Sequence, residues 1–334
     1  MKILVLGGTV FLGRHIVASA LAQGYSVTLF NRGRQNPNLF PEVEKLRGDR
    51  DGDLSALRGR SFDGVVDTST YTPEQARRVV EILDRRIGHY TFISSVSAYA
   101  RFPAGHSYNE TSLLIEGNDG YGALKARSEE VFDAAFPGRV TNVRPGLIAG
   151  PHDPTGRFSY WPRRIARGGD VLAPGRPERA IQFIDARDVA DWCIRLSEGG
   201  HIGNFNAIGP QSVLTMQKFL EACRSAVESN ARFNWVSDND LIAGGAKAWT
   251  ELPLWIPEND KDFGGFLLGD NRKATTAGLT YRPLLDTIKE TLEWDLRDGE
   301  SADLSKRVVP ISQEKEDLIL ADQRKRLGEK SKNH

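Results

Sequence analysis

The sequence predicts an α/β fold, a doubly wound parallel sheet accompanied by a smaller, discontinuous C-terminal unit. Three observations carry this. Short β-branched or aliphatic runs alternate with helix-period segments through the first half of the chain. A glycine-rich turn follows the first of these runs and opens a helix. After Gly150-Pro151 the composition shifts to a stretch rich in Pro, Gly and Arg.

Each element has its own signal. Residues 3–6 are aliphatic throughout, as in a strand buried on both faces. They run straight into glycines, so the start reads as a first strand and not as a signal peptide. Residues 13–23 form the first helix, which stops at Gly24. Residues 26–30 are strand two, 45–48 a short strand three after a charged loop, and 64–67 strand four. Pro73 in a first turn opens a strong helix over 73–86. Residues 90–94 are strand five, and a long loop then leads to a helix carrying Tyr121 and Lys125. Residues 140–144 are strand six, closed by Pro145-Gly146, and 204–208 supply one more strand. The expected division is 1–150, with about 181–210 returning to the sheet, against 151–180 plus 211–298. Residues 299–334 are charged and end in a Lys-rich tract, for which a terminal helix around 313–326 and a frayed tail are expected.

Composition excludes several classes. The 334 residues hold 44 Lys plus Arg and 44 Asp plus Glu, so no long-range field favours nucleic acid or an anionic membrane. No apolar run approaches the roughly 20 residues that span a bilayer. Cys193 and Cys223 are too few for a disulfide framework, which suits a reduced, cytoplasmic protein. The six histidines show no metal-ligand spacing, so no metal site is expected. No G-x-S-x-G elbow suggests hydrolase chemistry. His152 and two tryptophans, Trp161 and Trp255, could reach a cleft, although packing is the plainer role for each.

The glycine turn is Gly7-Gly8-Thr9-Val10-Phe11-Leu12-Gly13. In this context Gly7 permits a tight turn, Gly13 lets helix and strand approach, and the helix N-terminus faces a pyrophosphate. This is the fingerprint of a Rossmann dinucleotide site, except that Val10 stands where a middle glycine is usual. An acid should end strand two if the cofactor is NAD. The sequence there is Phe30-Asn31-Arg32-Gly33-Arg34. Arginines at that point can grip a 2′-phosphate, which favours NADP(H), with NAD(H) as the alternative and a solvated loop as the other role of Arg32. In Gly48-Asp49-Arg50 the aspartate suits a hydrogen bond from the adenine amino group, and Arg50 beside it is also expected to contact the cofactor. Tyr121 and Lys125, four apart, share a helix face, where the ammonium can lower the phenol's pKa for proton exchange with a substrate oxygen. A serine pair, Ser94-Ser95, sits at the end of strand five.

With these pieces in order the chain resembles the short-chain dehydrogenase/reductase superfamily, in its extended or atypical branch, the NAD-dependent epimerase/dehydratase family. The resemblance rests on the glycine turn, on Ile93-Ser94-Ser95-Val96-Ser97-Ala98-Tyr99 and on Tyr121-x-x-x-Lys125. Arg144-Pro145-Gly146, Gly150-Pro151 and Phe183-Ile184-Asp185-x-x-Asp188-Val189-Ala190 extend it. It implies Ser95 as catalytic serine, Tyr121 as acid/base, and Lys125 as the group that binds the nicotinamide ribose and lowers the tyrosine's pKa. It also implies that Thr9 to Leu12, Thr68, Ser69 and Pro145 to Ile148 line the cofactor.

The chain departs from the family's nucleotide-sugar pattern at Leu147, where Asn is common, and at Ile181, where an arginine often meets the substrate diphosphate. The resulting expectation is an NADP(H)-dependent oxidoreductase acting on a small alcohol, ketone or enone. The alternative is a redox-neutral epimerase, isomerase or dehydratase of a sugar or nucleotide sugar with retained cofactor. A third reading, a nucleotide- or RNA-associated protein, comes from likeness to chloroplast stem-loop-binding proteins; the neutral pI and Val10 argue against it. A homodimer through the helices flanking the sheet is expected by analogy.

Overall fold

A computed structural model of the chain describes residues 1–83, 86–299 and 304–332. Strands β1 (Lys2–Leu6), β2 (Ser26–Asn31), β3 (Glu44–Arg47), β4 (Phe62–Asp67), β5 (Ile87–Ile93) and β6 (Val140–Pro145) are interleaved with helices α1 (Phe11–Ala22), α2 (Pro73–Leu83) and α3 (Tyr121–Ala135). Then come β7 (Ile148–Ala149), α4 (Tyr160–Ala166), β8 (Asp170–Pro174), β9 (Ala180–Ile181), β10 (Ile184–Asp185), α5 (Ala186–Gly199) and β11 (Gly203–Ala207). The remaining elements are β12 (Leu214–Thr215), α6 (Met216–Ala226), β13 (Arg232–Val236), α7 (Asp238–Ala243), α8 (Arg272–Thr276), α9 (Leu284–Arg297) and α10 (Gln313–Lys332).

The first six strands and β11 form one parallel sheet in the order β3-β2-β1-β4-β5-β6-β11. The order reverses direction between β1 and β4, and a crevice opens there at the strands' carboxyl ends. Alternation along β1 divides the two faces. Ile3 and Val5 join the core under α1 and α5, while Leu4 and Leu6 join the core under α2 and α3. The largest shift from the expected strands is at β5, which starts at Ile87, where it pairs with Phe62 of β4; the polar His89 inside it is buried with its ring 3.1 Å from Thr141 Oγ1. The helix expected over 73–86 is seen as Pro73–Leu83; residues 84 and 85 of that expectation lie outside the described residues.

A second core gathers α4, α6, β8, β13 and the 252–255 segment. Trp161 and Trp255 are buried in it, so neither lines the cleft. The Asp185 carboxylate caps α5 by accepting from Arg187 N (2.8 Å), and it also accepts from Thr287 Oγ1 of α9 (2.8 Å). Asp188 accepts from Arg282 Nε at 2.7 Å. The two acids of the Phe183–Ala190 motif thus join the sheet's outer helix to the second core.

The C-terminal helix is less solvated than its charge suggests. Ile311, Ile319 and Leu320 are buried, and the buried Glu316 accepts from Arg164 Nε (2.8 Å) and from Leu172 N (2.9 Å). Residues 300–303 and 333–334 of the expected tail lie outside the described residues. Among the described residues no helix is long and apolar enough to cross a membrane. Removing one partner of a buried ion pair strands the other and costs about 3–5 kcal/mol. Glu316→Ala is therefore expected to lose about that much stability in urea unfolding; an unchanged midpoint would place α10 outside the folded unit.

Candidate active site

The carboxyl ends of β1, β2, β4, β5 and β6 surround a cavity of about 810 Å³. The residues singled out from the sequence as catalytic or cofactor-binding line it: Gly7, Thr9 to Gly13, Asn31, Arg32, Arg34, Asp49, Arg50, Thr68, Ser69, Ser95, Tyr121, Lys125, Pro145, Gly146 and Ile148, whereas Leu147, within the expected 145–148 stretch, is buried in the second core. The histidine candidate is elsewhere. His152 packs between His15 and Trp294 with Nδ1 3.0 Å from Arg14 Nη1, and burial beside these groups pushes its pKa down to about 3.

At the turn after β1, Gly7 has φ +110°, and a Cβ there would strike Thr68 Oγ1. A Cβ on Gly13 would lie 2.7 Å from Gly8 N. Val10 is extended (φ −131°, ψ 138°), a conformation open to any residue, so the turn does not need the family's middle glycine. The positive φ falls on Phe11 (+37°), where an L-residue pays roughly 1–2 kcal/mol. The α1 N-terminus, with no acidic side chain in its first turn, faces the cavity.

The β2 end carries the positive charge. Arg32 and Arg34 are exposed and have no carboxylate partner among the described residues. Asn31 is committed to the backbone: its Nδ2 donates to Gly7 O (3.0 Å), and its Oδ1 accepts from Gly33 N (2.8 Å) and Arg47 Nη1 (2.5 Å). Arg47, a third guanidinium beneath this loop, was not among the sequence candidates. Its only signal is register, since it pairs with Asn31 across β2 and β3.

Asp67, at the end of β4, was also missed. It is fully buried and accepts from Ser69 N (2.9 Å), Thr70 N (3.0 Å), Thr70 Oγ1 (2.5 Å), Tyr90 OH (2.7 Å) and Arg50 Nη1 (3.3 Å). Burial alone would raise its pKa, but the Arg50 charge and these donors hold it below the usual carboxylate range. Arg50, offered from sequence as a cofactor contact, spends its guanidinium on Asp67, Thr70 Oγ1 and Ser69 Oγ while still forming cavity wall.

Lys125 is buried, and its Nζ donates to Thr70 O (2.7 Å) and Ile93 O (2.8 Å). Desolvation lowers its pKa to about 8, against the opposing pull of Asp67. Its ammonium lies 5.9 Å from the Tyr121 ring centroid and 5.0 Å from that of Tyr71. The Tyr121 side chain is 50% exposed, yet its phenol is shifted up to about 12, by desolvation first and then by Tyr71, with the Ser95 hydroxyl opposing. The shift thus runs opposite to the lowered phenol pKa expected from Lys125.

Ser95 Oγ caps a short turn by accepting from Ser97 N (3.0 Å). The first turn of α3 abuts this turn so closely that a Cβ on Gly122 would collide with Ser97 O. Behind the pair, buried Arg144 donates to both Glu129 carboxylate oxygens on α3 (2.9 and 2.5 Å) and to Tyr99 OH (3.0 Å). Ser94 Oγ is buried and without a partner among the described residues, which makes it a free polar group in the cavity wall.

The cavity fits a dinucleotide in three respects: a glycine cradle that a Cβ would fill, a helix N-terminus aimed into it, and an orphaned hydroxyl in its wall. The family described as NAD dependent epimerase/dehydratase matches residues 3–207. The chain belongs to this family. It is 25% identical over 243 residues to the chloroplast stem-loop binding protein of 41 kDa b from Arabidopsis thaliana, a match covering 67% of this chain and 63% of that relative. Among solved structures, the Thermotoga maritima UDP-glucose 4-epimerase with UDP-glucose superposes with TM-score 0.66 at 18% identity, covering 89% of this chain and 99% of that one. The Bacillus anthracis dTDP-glucose 4,6-dehydratase in complex with NAD gives TM-score 0.66 at 15% identity, covering 90% and 98%. Both structures share the Rossmann-type fold with this chain. The oxidoreductase of small alcohols and ketones expected from sequence finds no specific support among them.

The buried lysine gives a test of the site's electrostatics. Its pKa falls from about 10.5 unfolded to about 8 folded, so between these values the unfolded chain holds the extra proton. Stability should rise with pH through that window. Urea unfolding at pH 8, 9 and 10 should show this component in the wild type and lack it in Lys125→Met; equal slopes would refute the assignment.

Proposed function

We propose that the chain is a redox-neutral epimerase or dehydratase acting on a sugar or nucleotide sugar while a pyridine dinucleotide stays bound. The observation carrying this reading is that Ser95, Tyr121 and Lys125 line the same cavity as the glycine turn. The family, and the sugar-nucleotide enzymes whose fold it shares, support it. Gly7 to Gly13 would hold the diphosphate, Asp49 the adenine, and Lys125 the nicotinamide ribose. When bound, the dinucleotide supplies hydride acceptance and return at the substrate carbon.

The chain's own residues move the proton. Tyr121 starts protonated at neutral pH, the form that donates to a carbonyl oxygen. Taking a proton from a substrate hydroxyl requires the phenolate, which the nearby Lys125 ammonium favours. Ser95, with its oxygen already oriented by Ser97 N, hydrogen-bonds the same substrate oxygen and stabilises negative charge developing there.

A second reading, net oxidation or reduction of a smaller and less polar substrate, is favoured by one set of observations. Leu147 and Ile181 are buried in the second core, and Arg179 is buried against Asp238 and Ile256 O. Positions suited to a nucleotide diphosphate in relatives are thus apolar or already engaged here.

For the cofactor, the NAD named in related structures favours NAD. The absence of an acid at the β2 end, together with Arg32, Arg34 and Arg47, favours acceptance of a 2′-phosphate, and we adopt NADP. Fluorescence titration should show NADP binding at least as tightly as NAD. The double variant Arg32→Ala/Arg34→Ala should weaken NADP by about tenfold or more while sparing NAD; parallel losses would return the choice to NAD.

Incubation with nucleotide sugars, followed by NMR, should reveal product without net change in nicotinamide absorbance. Tyr121→Phe should lower turnover by about 100-fold or more and leave dinucleotide affinity nearly unchanged. Stoichiometric cofactor consumption would select the second reading, and a fully active phenylalanine variant would remove the tyrosine from the chemistry.

A further inference from the structure

The cavity has one wall that the sheet half does not build. Leu304–Lys306 makes a single turn of 3-10 helix, and Lys306 lines the cavity beside Pro154 and Thr155. Two contacts fix this segment. Val308 N donates to Thr155 O (2.9 Å), and Arg307 Nη2 donates to the fully buried Asp295 (2.7 Å). The Asp153 carboxylate holds the loop beneath by accepting from Thr155 N (2.8 Å) and Thr155 Oγ1 (3.0 Å). One step earlier, His15 Nε2 of α1 contacts Pro151 O at 2.9 Å. The C-terminal segment is thereby coupled, through the 151–155 loop, to the helix whose N-terminus faces the cavity.

The distribution of charge gives the lysine a purpose. Among the described lining residues the carboxylates are Asp49 and Asp51, both beyond β3. Arg50 is neutralised by Asp67, Lys125 is spent on two carbonyls, and Arg32 and Arg34 lie at the β2 end. Lys306 is the one lining cation supplied from outside the sheet half, and no carboxylate among the described residues pairs with it. An ammonium and an acid-free helix N-terminus lining one cavity suit an anion shared between them.

We infer that Lys306 is a dinucleotide-contact residue whose ammonium joins the glycine turn in holding the diphosphate. The inference rests on the dinucleotide reading of the cavity given above. It assigns the segment after α9 a direct part in ligand binding. It also makes cofactor exchange slower than a one-sided site would, which suits retention through turnover.

The test compares wild type, Lys306→Ala and Lys306→Arg by fluorescence titration and stopped-flow dissociation with NAD, NADP, ADP and 2′-AMP. Lys306→Ala should bind NAD, NADP and ADP about tenfold more weakly, with faster dissociation of the two dinucleotides. Binding of 2′-AMP, which lacks a diphosphate, should be unchanged. Lys306→Arg should restore most of the loss, and high salt should shrink the gap between wild type and alanine variant. The lysine is exposed, so the thermal midpoint should not move and a folding defect can be told apart. Equal affinities for wild type and Lys306→Ala overturn the inference while leaving the cofactor reading intact, and so does an equal loss for 2′-AMP. A wild-type protein that binds neither dinucleotide overturns both.

Discussion

Asp67 is the buried charge on which the site's geometry depends. A carboxylate without solvent is tolerable only when its oxygens are fully occupied. Arg50, Thr70, Ser69 and Tyr90 occupy them, and in doing so they fix the loop that follows β4. The Thr70 carbonyl of that loop is one of two that hold the Lys125 ammonium; the other, Ile93, ends β5. An anion in the sheet thus sets the position of a cation on α3, and the phenol one turn earlier follows from helix geometry.

A second buried pair restrains α3 from the other side. Arg144 on β6 grips Glu129 and Tyr99 OH, while Tyr99 OH donates to Asn206 on β11 at 2.7 Å. Removing the helix from its place would leave at least two charges without partners, an arrangement that a low-dielectric interior penalises severely. Charges in the core therefore act here as locators for the proposed catalytic groups. In the Arg-rich stretch after Gly150, Arg163, Arg164, Arg176 and Arg179 each face a carboxylate, so these four are not an open basic surface.

Much of this was legible in the sequence, for identifiable reasons. Residues 3–6 of β1 are buried and read as a continuous apolar run, and the glycine turn follows β1 without a gap. Most of the cavity-lining set was legible because its members adjoin the carboxyl ends of strands, which a parallel sheet brings to one edge, while Tyr121 and Lys125 on α3 were legible from their four-residue spacing. What escaped was long-range pairing. Arg47 is tied to Asn31 by strand register, Asp67 matters through partners distant in sequence, and Lys306 arrives from beyond α9. Charge content also hid the role of α10, whose single buried glutamate finds its arginine on α4. The direction of the Tyr121 shift could not be read from Lys125 alone, because desolvation and Tyr71 push it up.

The close approach at Gly122 has a mechanical consequence. Where a helix and a neighbouring turn touch main chain to main chain, nothing between them can rotate, repack or be displaced by solvent. The main-chain spacing between the serine's turn and the first turn of the helix is then limited by hard-core repulsion, which neither ionic strength nor protonation can soften. The backbone frame carrying the two residues is therefore set without help from a ligand.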